Sequence, residues 1–221
     1  MKKILCGLFL VAAVGFAAPS CTIGAPGYTD ITSNPGSAGC SVGSLTFSNF
    51  AVSSLNPANM TVGMRVAAFP GTVDLDFQIA GFVATFPAPP PDLRITYEVQ
   101  GPSTGVNNLF NAATLGVTII ETVCDSKGIT PGGGSCVDPR LGQLTNNAFM
   151  GTQTLNFDTT QSDIWIIKDI TGSYFGNVTT LGISDFTNSS ETSSVPEPMT
   201  LSMMGAGLLG LGLISRRRKK S

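Results

Sequence analysis

Histidine is absent from the chain, and charged residues make up only 12% of it. Without an imidazole there is no Ser-His-Asp or Cys-His nucleophile, no His-ligated zinc and no histidine pH switch. Tryptophan occurs once, at Trp165. Basic residues are scarce where a domain would need them. Of the twelve lysines and arginines, Lys2, Lys3 and the run Arg216, Arg217, Arg218, Lys219 and Lys220 lie at the two ends. Residues 22–195 keep only Arg65, Arg94, Lys127, Arg140 and Lys168 against thirteen carboxylates, a net of about −8 that the whole-chain value of −2 conceals. A region that acidic, with no basic patch, argues against nucleic acid as a partner. Divalent cations, or repulsion of other acidic surfaces, remain compatible with it.

Long apolar runs are also missing from the middle of the chain and present at both ends. Lys2 and Lys3 precede a thirteen-residue apolar stretch from Ile4 to Phe16, and small residues follow. That order predicts a secretory signal peptide over residues 1–17, cut after Ala17, with the Sec translocon and signal peptidase as partners. A lipid-modified Cys21 fits less well, because Pro19 stands where a small residue is expected. At the other end Met199 to Ser215 carries no charge. As a helix it would span about 25 Å at ~1.5 Å per residue, the short limit for a bilayer. Arg216 to Lys220 would stop transfer and, by the positive-inside rule, keep the tail cytoplasmic in an inner-membrane precursor. Within that run Gly205, Gly207 and Gly210 spell GxGxxG, but no βαβ unit can follow in the eleven residues that remain, so a dinucleotide site is rejected.

Immediately before this segment stand Val195, Pro196, Glu197 and Pro198. Two prolines deny the backbone a helix and favour an extended approach to the membrane face. The order of Pro-Glu-Pro, apolar segment and basic cluster resembles the PEP-CTERM sorting signal of Gram-negative bacteria. The resemblance implies recognition by exosortase, a membrane-embedded cysteine-dependent transpeptidase. Cleavage near the motif would then pass the ectodomain to the cell surface or an exopolysaccharide matrix. Two ectodomain stretches, "CSVGSLTFSNF" and "IWIIKDI", are similar to segments of uncharacterised small ectodomains in PEP-CTERM proteins, which implies no activity. The chain is thus expected to divide into a signal peptide at 1–17, an ectodomain at 18–186, a flexible stalk at 187–195 and the sorting signal at 196–221. The sorting signal comprises the Pro-Glu-Pro motif, a transmembrane helix at 199–215 and the basic tail at 216–220.

Once Cys6 leaves with the signal peptide, Cys21, Cys40, Cys124 and Cys136 remain, an even number in an oxidising compartment. Four cysteines allow three connectivities, and proximity in sequence favours Cys21 with Cys40 and Cys124 with Cys136. A four-thiolate metal site would usually need closer Cys-x-x-Cys pairs. No metal or other cofactor is expected.

Between the ends, apolar residues alternate with polar ones: Met60, Val62, Met64, Val66; Val73, Leu75, Phe77, Ile79; Leu93, Ile95, Tyr97, Val99. Period two with polar residues between means strands with one wet face. Further runs at 45–52, 115–123, 152–157, 164–170 and 178–186 bring the expectation to about eight strands. "FPG", "PAPPPD", "GPSTG" and "PGGGS" are expected as the turns between them. The fold class is therefore all-β, an antiparallel β-sandwich of Ig-like or jelly-roll type.

Candidate chemistry is thin. Asp74 and Asp76 share the solvent face of one strand and could bind Ca²⁺ or serve as an acid/base pair, although a hydrated strand face is the plainer account. Trp165 could stack on a sugar ring, but its isoleucine neighbours suit a core position. Lys168 lacks a serine that could be placed beside it. The glycine-rich stretch at 132–134 could fold over a ligand, though a mobile loop tip is the plainer expectation. The expected function is an exported, non-enzymatic surface or matrix protein. A carbohydrate-binding or ice-binding module and a carboxylate-dependent hydrolase stand as alternatives.

Overall fold

The structure, a computed structural model, describes residues 21, 27–33, 39–56, 59–137 and 140–192. The alternating segments are strands, in chain order β1 (Thr29–Asp30), β2 (Cys40–Val42), β3 (Leu45–Asn56), β4 (Thr61–Phe69), β5 (Thr72–Ala80), β6 (Val83–Thr85), β7 (Asp92–Ala113), β8 (Val117–Cys124), β9 (Arg140–Asn147), β10 (Gln153–Gly172) and β11 (Thr180–Thr192). The described residues contain no helix, and every named strand pairing is antiparallel. The main path of neighbours runs β1-β4-β5-β11-β7-β10-β8-β9, with β3 joining β2 to β7 and β6 pairing with β11.

Two strands serve two sets of neighbours. Residues 92–100 of β7 pair with β3 and with 163–171 of β10, whereas residues 103–113 pair with β11 and the start of β10. The stretch "GPSTG", expected as a turn, therefore lies inside β7, and the two segments expected at 152–157 and 164–170 are one strand. Gly101 explains the first correction. Its φ is +120°, and a Cβ there would stand 2.1 Å from the Ser44 carbonyl oxygen. Only glycine lets the strand bend this closely past β3 and continue pairing. In β10 the ladder accommodates the bend with register shifts between Asn156 and Asp163.

The bend brings unpaired strands face to face. Phe77 of β5 stacks on Phe186 of β11 at 4.9 Å between ring centroids. It also meets Tyr97 of β7 at 5.9 Å, although β5 and β7 are not paired, and Phe50 of β3 stacks on Tyr97 at 5.4 Å. Leu93, Ile95, Val99, Ile164, Ile166 and Ile170 fill the same buried cluster. Each such side chain contributes about 1.5–3 kcal/mol when fully withdrawn from water.

The expected stalk is corrected in part. Residues 187–192 belong to β11, and Asn188 and Ser190 are only 1% exposed. Small polar side chains can line an interior when their hydrogen bonds are made inside it, so the segment needed no apolar residues to be folded in. Residues 193–195 lie outside the described residues. So do the signal peptide at 1–17, Val195 to Pro198, the helix expected at 199–215 and the basic tail at 216–220. Among the described residues no helix is long and apolar enough to cross a membrane. Both local disulfides are present, Cys21–Cys40 and Cys124–Cys136.

A candidate ligand-binding cleft under a disulfide-stapled loop

Along β10 the side chains divide by parity. Ile164, Ile166 and Ile170 enter the core cluster and Lys168 is fully buried, so Asp163, Trp165, Ile167 and Asp169 project from the opposite face. Antiparallel register sets Glu98, Thr96 and Arg94 of β7 beside Trp165, Ile167 and Asp169. On the other flank Trp165 is level with Cys124 of β8. Because Cys124 is bonded to Cys136, the chain leaving β8 is turned back over this outer face.

Backbone hydrogen bonds hold the returning loop: Gly128 N donates to Asp125 O at 3.0 Å, Thr130 N to Ser135 O at 2.8 Å and Gly133 N to Thr130 O at 2.8 Å. It is a built turn rather than the loose tip expected. Two of its glycines lie close over the strands in a backbone conformation that favours glycine. A Cβ on Gly128 would reach 3.4 Å from Trp165 Nε1, and one on Gly133 would reach 3.1 Å from Thr96 Cγ2. Both glycines have positive φ, +84° and +71°, where other residues are strained.

Between this loop and β3 lies a cleft of about 600 Å³, walled by Asn49 and Ser53 on one side and Ile129 and Thr130 on the other, with Trp165, Thr96 and Arg94 as its floor. Trp165 is half-buried, neither the core residue its neighbours suggested nor freely exposed. Behind it Glu98, 6% exposed, accepts hydrogen bonds from Ser48 Oγ at 2.9 Å, Asn49 Nδ2 at 2.5 Å and Gln100 Nε2 at 2.9 Å. Asn49 is held at φ +53°, in an interruption of the β3–β7 ladder between Ser48 and Ala51. Asparagine tolerates that conformation better than most residues. Burial, then the charge of Glu98, then a hydrogen bond to it raise the pKa of Asp163. The ion pair Arg94–Asp169, 2.5 Å, separates this cleft from a second of about 470 Å³ beside Arg140 and Gln143.

Asp74 and Asp76 lie elsewhere, on β5, and the structure brings neither to the cleft. Asp76 is taken up by Arg65 Nε at 2.9 Å and by Thr187 Oγ1 at 2.6 Å. Beside it Tyr28 lies under Arg65, 5.0 Å from ring centroid to guanidinium, and its hydroxyl donates to Asp185 Oδ2 at 3.3 Å. Among the described residues no group of three or more Asp, Glu or Cys is placed to hold a metal ion. Arg94, Thr96, Glu98 and Asp163 were not singled out from the sequence. Only the register of β7 against β10 puts Arg94, Thr96 and Glu98 beside this face, whereas Asp163 shares it with Trp165 by strand alternation.

Residues 194–219 match the family model described as the PEP-CTERM protein-sorting motif. The C-terminal segment is a PEP-CTERM sorting signal. It marks the chain for export and for processing by exosortase. The match spans the tail alone and leaves the ectodomain unassigned. No curated protein matches the chain. Among solved structures, TmCBM61 in complex with β-1,4-galactotriose is similar at 12% identity and a TM-score of 0.33, covering 65% of this chain and 86% of that one. A likeness of that degree assigns neither fold nor ligand.

Proposed function

We propose that this exported PEP-CTERM protein is a non-enzymatic surface or matrix adhesin that holds a saccharide in the cleft beside Trp165. One observation carries the proposal: a half-buried indole forms the floor of a cleft of about 600 Å³, with hydroxyl, amide and guanidinium groups on the surrounding elements. An aromatic face with hydrogen-bonding groups around it is the chemistry that a pyranose, apolar on one face and hydroxylated at its edge, requires. The ectodomain is read as an antiparallel β-sandwich, Ig-like or jelly-roll, supported by the contact of Phe77 with Tyr97 across unpaired strands. The precursor would pass the Sec translocon, lose residues 1–17 to signal peptidase and rest in the inner membrane through 199–215. Exosortase would then release it near Pro196-Glu197-Pro198 to the cell surface or an exopolysaccharide.

Retention of the protein on the exopolysaccharide of its own cells, lost in Trp165→Ala with folding intact, is the expected result. Equal retention of the variant would end the saccharide proposal. Release of new reducing ends from that polysaccharide would favour the hydrolase alternative instead. That alternative is disfavoured because Asp76, one of the two carboxylates first considered for it, is engaged by Arg65 and Thr187, and neither Asp74 nor Asp76 lines the cleft. Pro196→Ala/Pro198→Ala should leave uncut precursor in the inner membrane; normal processing would remove the cleavage step from the proposal.

A further inference from the structure

The interior holds a cluster that neither export nor saccharide binding uses. Lys168 and Glu121 are both fully buried and stand opposite each other on β10 and β8, with Lys168 Nζ on Glu121 Oε2. From the facing strand β11, Asn188 Nδ2 donates to both oxygens of the same carboxylate at 3.1 Å. The carbonyl oxygen of Asn188 accepts from the hydroxyl of Tyr97. The ring of Phe186 lies against the group, with Lys168 Nζ 5.3 Å from its centroid. An amine, a carboxamide and a carboxyl group that touches both are thus enclosed together, away from water.

We propose that Lys168 and Asn188 become joined by a side-chain amide, formed with loss of ammonia under the control of Glu121, which cross-links the facing strands covalently. Burial lowers the pKa of Lys168, and the charge of Glu121 opposes that shift without cancelling it. Passing one proton from the ammonium to the carboxylate leaves two neutral groups and removes a costly buried ion pair. The free Nζ lone pair attacks Cγ of Asn188, and the carbonyl π electrons move to Oδ1, where the Tyr97 hydroxyl stabilises the developing charge. Glu121 gives its proton to Nδ2 and accepts one from Nζ. The Cγ–Nδ2 bond then breaks, ammonia departs, and the amide is left beside a protonated Glu121. No oxidant or outside reactant is needed, and enclosure supplies the proximity that such a condensation lacks in water.

Asn108 is the competing electrophile, since its Nδ2 also donates to Glu121 Oε2 at 3.0 Å. Its carbonyl oxygen has no hydrogen-bond donor, whereas that of Asn188 is polarised by Tyr97, so Asn188 is the acceptor. The product would have a mechanical consequence. β11 is the strand that leads into the sorting tail, so a pull on a tethered C-terminus enters the domain there.

The full chain, produced in an exosortase-positive Gram-negative host, reduced and digested with trypsin, gives a direct test. An unmodified Lys168 is cut, yielding a peptide of residues 141–168 and another beginning at Asp169. The cross-linked chain resists cleavage there. It gives one peptide from Leu141 to the processed C-terminus, about 17 Da lighter than its sequence, with fragment ions joining Lys168 to Asn188. Glu121→Gln keeps the hydrogen-bonding shape but cannot shuttle the proton, so the two ordinary peptides are expected from it. Recovery of 141–168 as the main wild-type product overturns the proposal. A branched product joining Lys168 to the peptide of residues 95–127 overturns the choice of Asn188 over Asn108. A cross-link that persists in Glu121→Gln overturns the role of Glu121. Should that variant fail to fold, the wild-type digest decides alone.

Discussion

The fold has two polar outer faces, one around Trp165 and one around Asp76, and they are built on opposite plans. Around Asp76 the polar groups satisfy one another across flat strands: Arg65 with Asp76, Asp76 with Thr187, Tyr28 with Asp185. Around Trp165 a loop fixed by Cys124–Cys136 is laid over the strands, its Gly128 and Gly133 passing close to Trp165 and Thr96, and a cleft lies between this loop and β3. Charges that neutralise each other on an open face offer a ligand little that water does not. An indole and donors kept under a cover are desolvated in advance and fixed in place, and affinity follows from that preorganisation. The comparison separates the two aspartates first noticed in the sequence from the tryptophan, although all three sit on outward strand faces.

Removing the cover should have the largest effect. Cys124→Ser/Cys136→Ser frees a loop spanned by a sequence separation of 12 and is expected to cost about 3 kcal/mol in the chain-entropy model. That corresponds to a fall of roughly 6–12 °C in Tm for a domain of this size, measurable by calorimetry, together with loss of polysaccharide retention. Trp165→Ala should come next. Truncating a central aromatic anchor typically costs about 2 kcal/mol of binding, a ~30-fold fall in affinity by titration calorimetry, while Tm moves much less.

The third effect is set by pH. The pKa of Asp163 is raised in the folded state by burial and by Glu98. A carboxyl group of that kind binds its proton more tightly when folded, so its ionisation opposes folding. Its contribution is harmless below the ordinary carboxylate range. Stability then falls as pH rises from that range through the raised folded-state pKa, and levels off above it. Asp163→Asn should flatten that slope in denaturant titrations and stabilise the protein at neutral pH by at most ~1 kcal/mol once solvent screening is allowed for. Smallest of all should be Arg65→Ala on the open face, worth ~0–1 kcal/mol, with polysaccharide retention unchanged. A larger loss of retention from Arg65→Ala than from Trp165→Ala would invert the comparison.

Much of the scaffold was legible in the linear pattern. Alternation placed β4, β5 and the start of β7, because a strand with one wet face prints its period directly in the sequence. Sequence proximity also pointed to both disulfides. The cleft was not legible, for a reason visible in "DIWIIKD". Ile164 and Ile166 face the core while Ile167 is buried on the outer side under the loop, so hydrophobicity is continuous and period two vanishes. The polarity of "TNSSET" misled in the opposite direction. Asn188 and its neighbours read as a stalk, yet their partners, Tyr97 and Glu121, lie 91 and 67 residues away. β9, "RLGQLTNN", was missed because an edge strand with few apolar residues carries little periodic signal.

The sorting signal is inscribed in the primary chain alone, since residues 194–219 match the PEP-CTERM motif as a short contiguous string. Strand periodicity and local cysteine pairing are equally local. Which groups meet was decided only by folding. The bend at Gly101 and the register of β10 bring Lys168, Glu121 and Asn188 together inside and set Trp165 beneath its loop outside. Such meetings depend on how distant strands align and which face each one buries, and a one-residue slip in register would exchange the two faces completely.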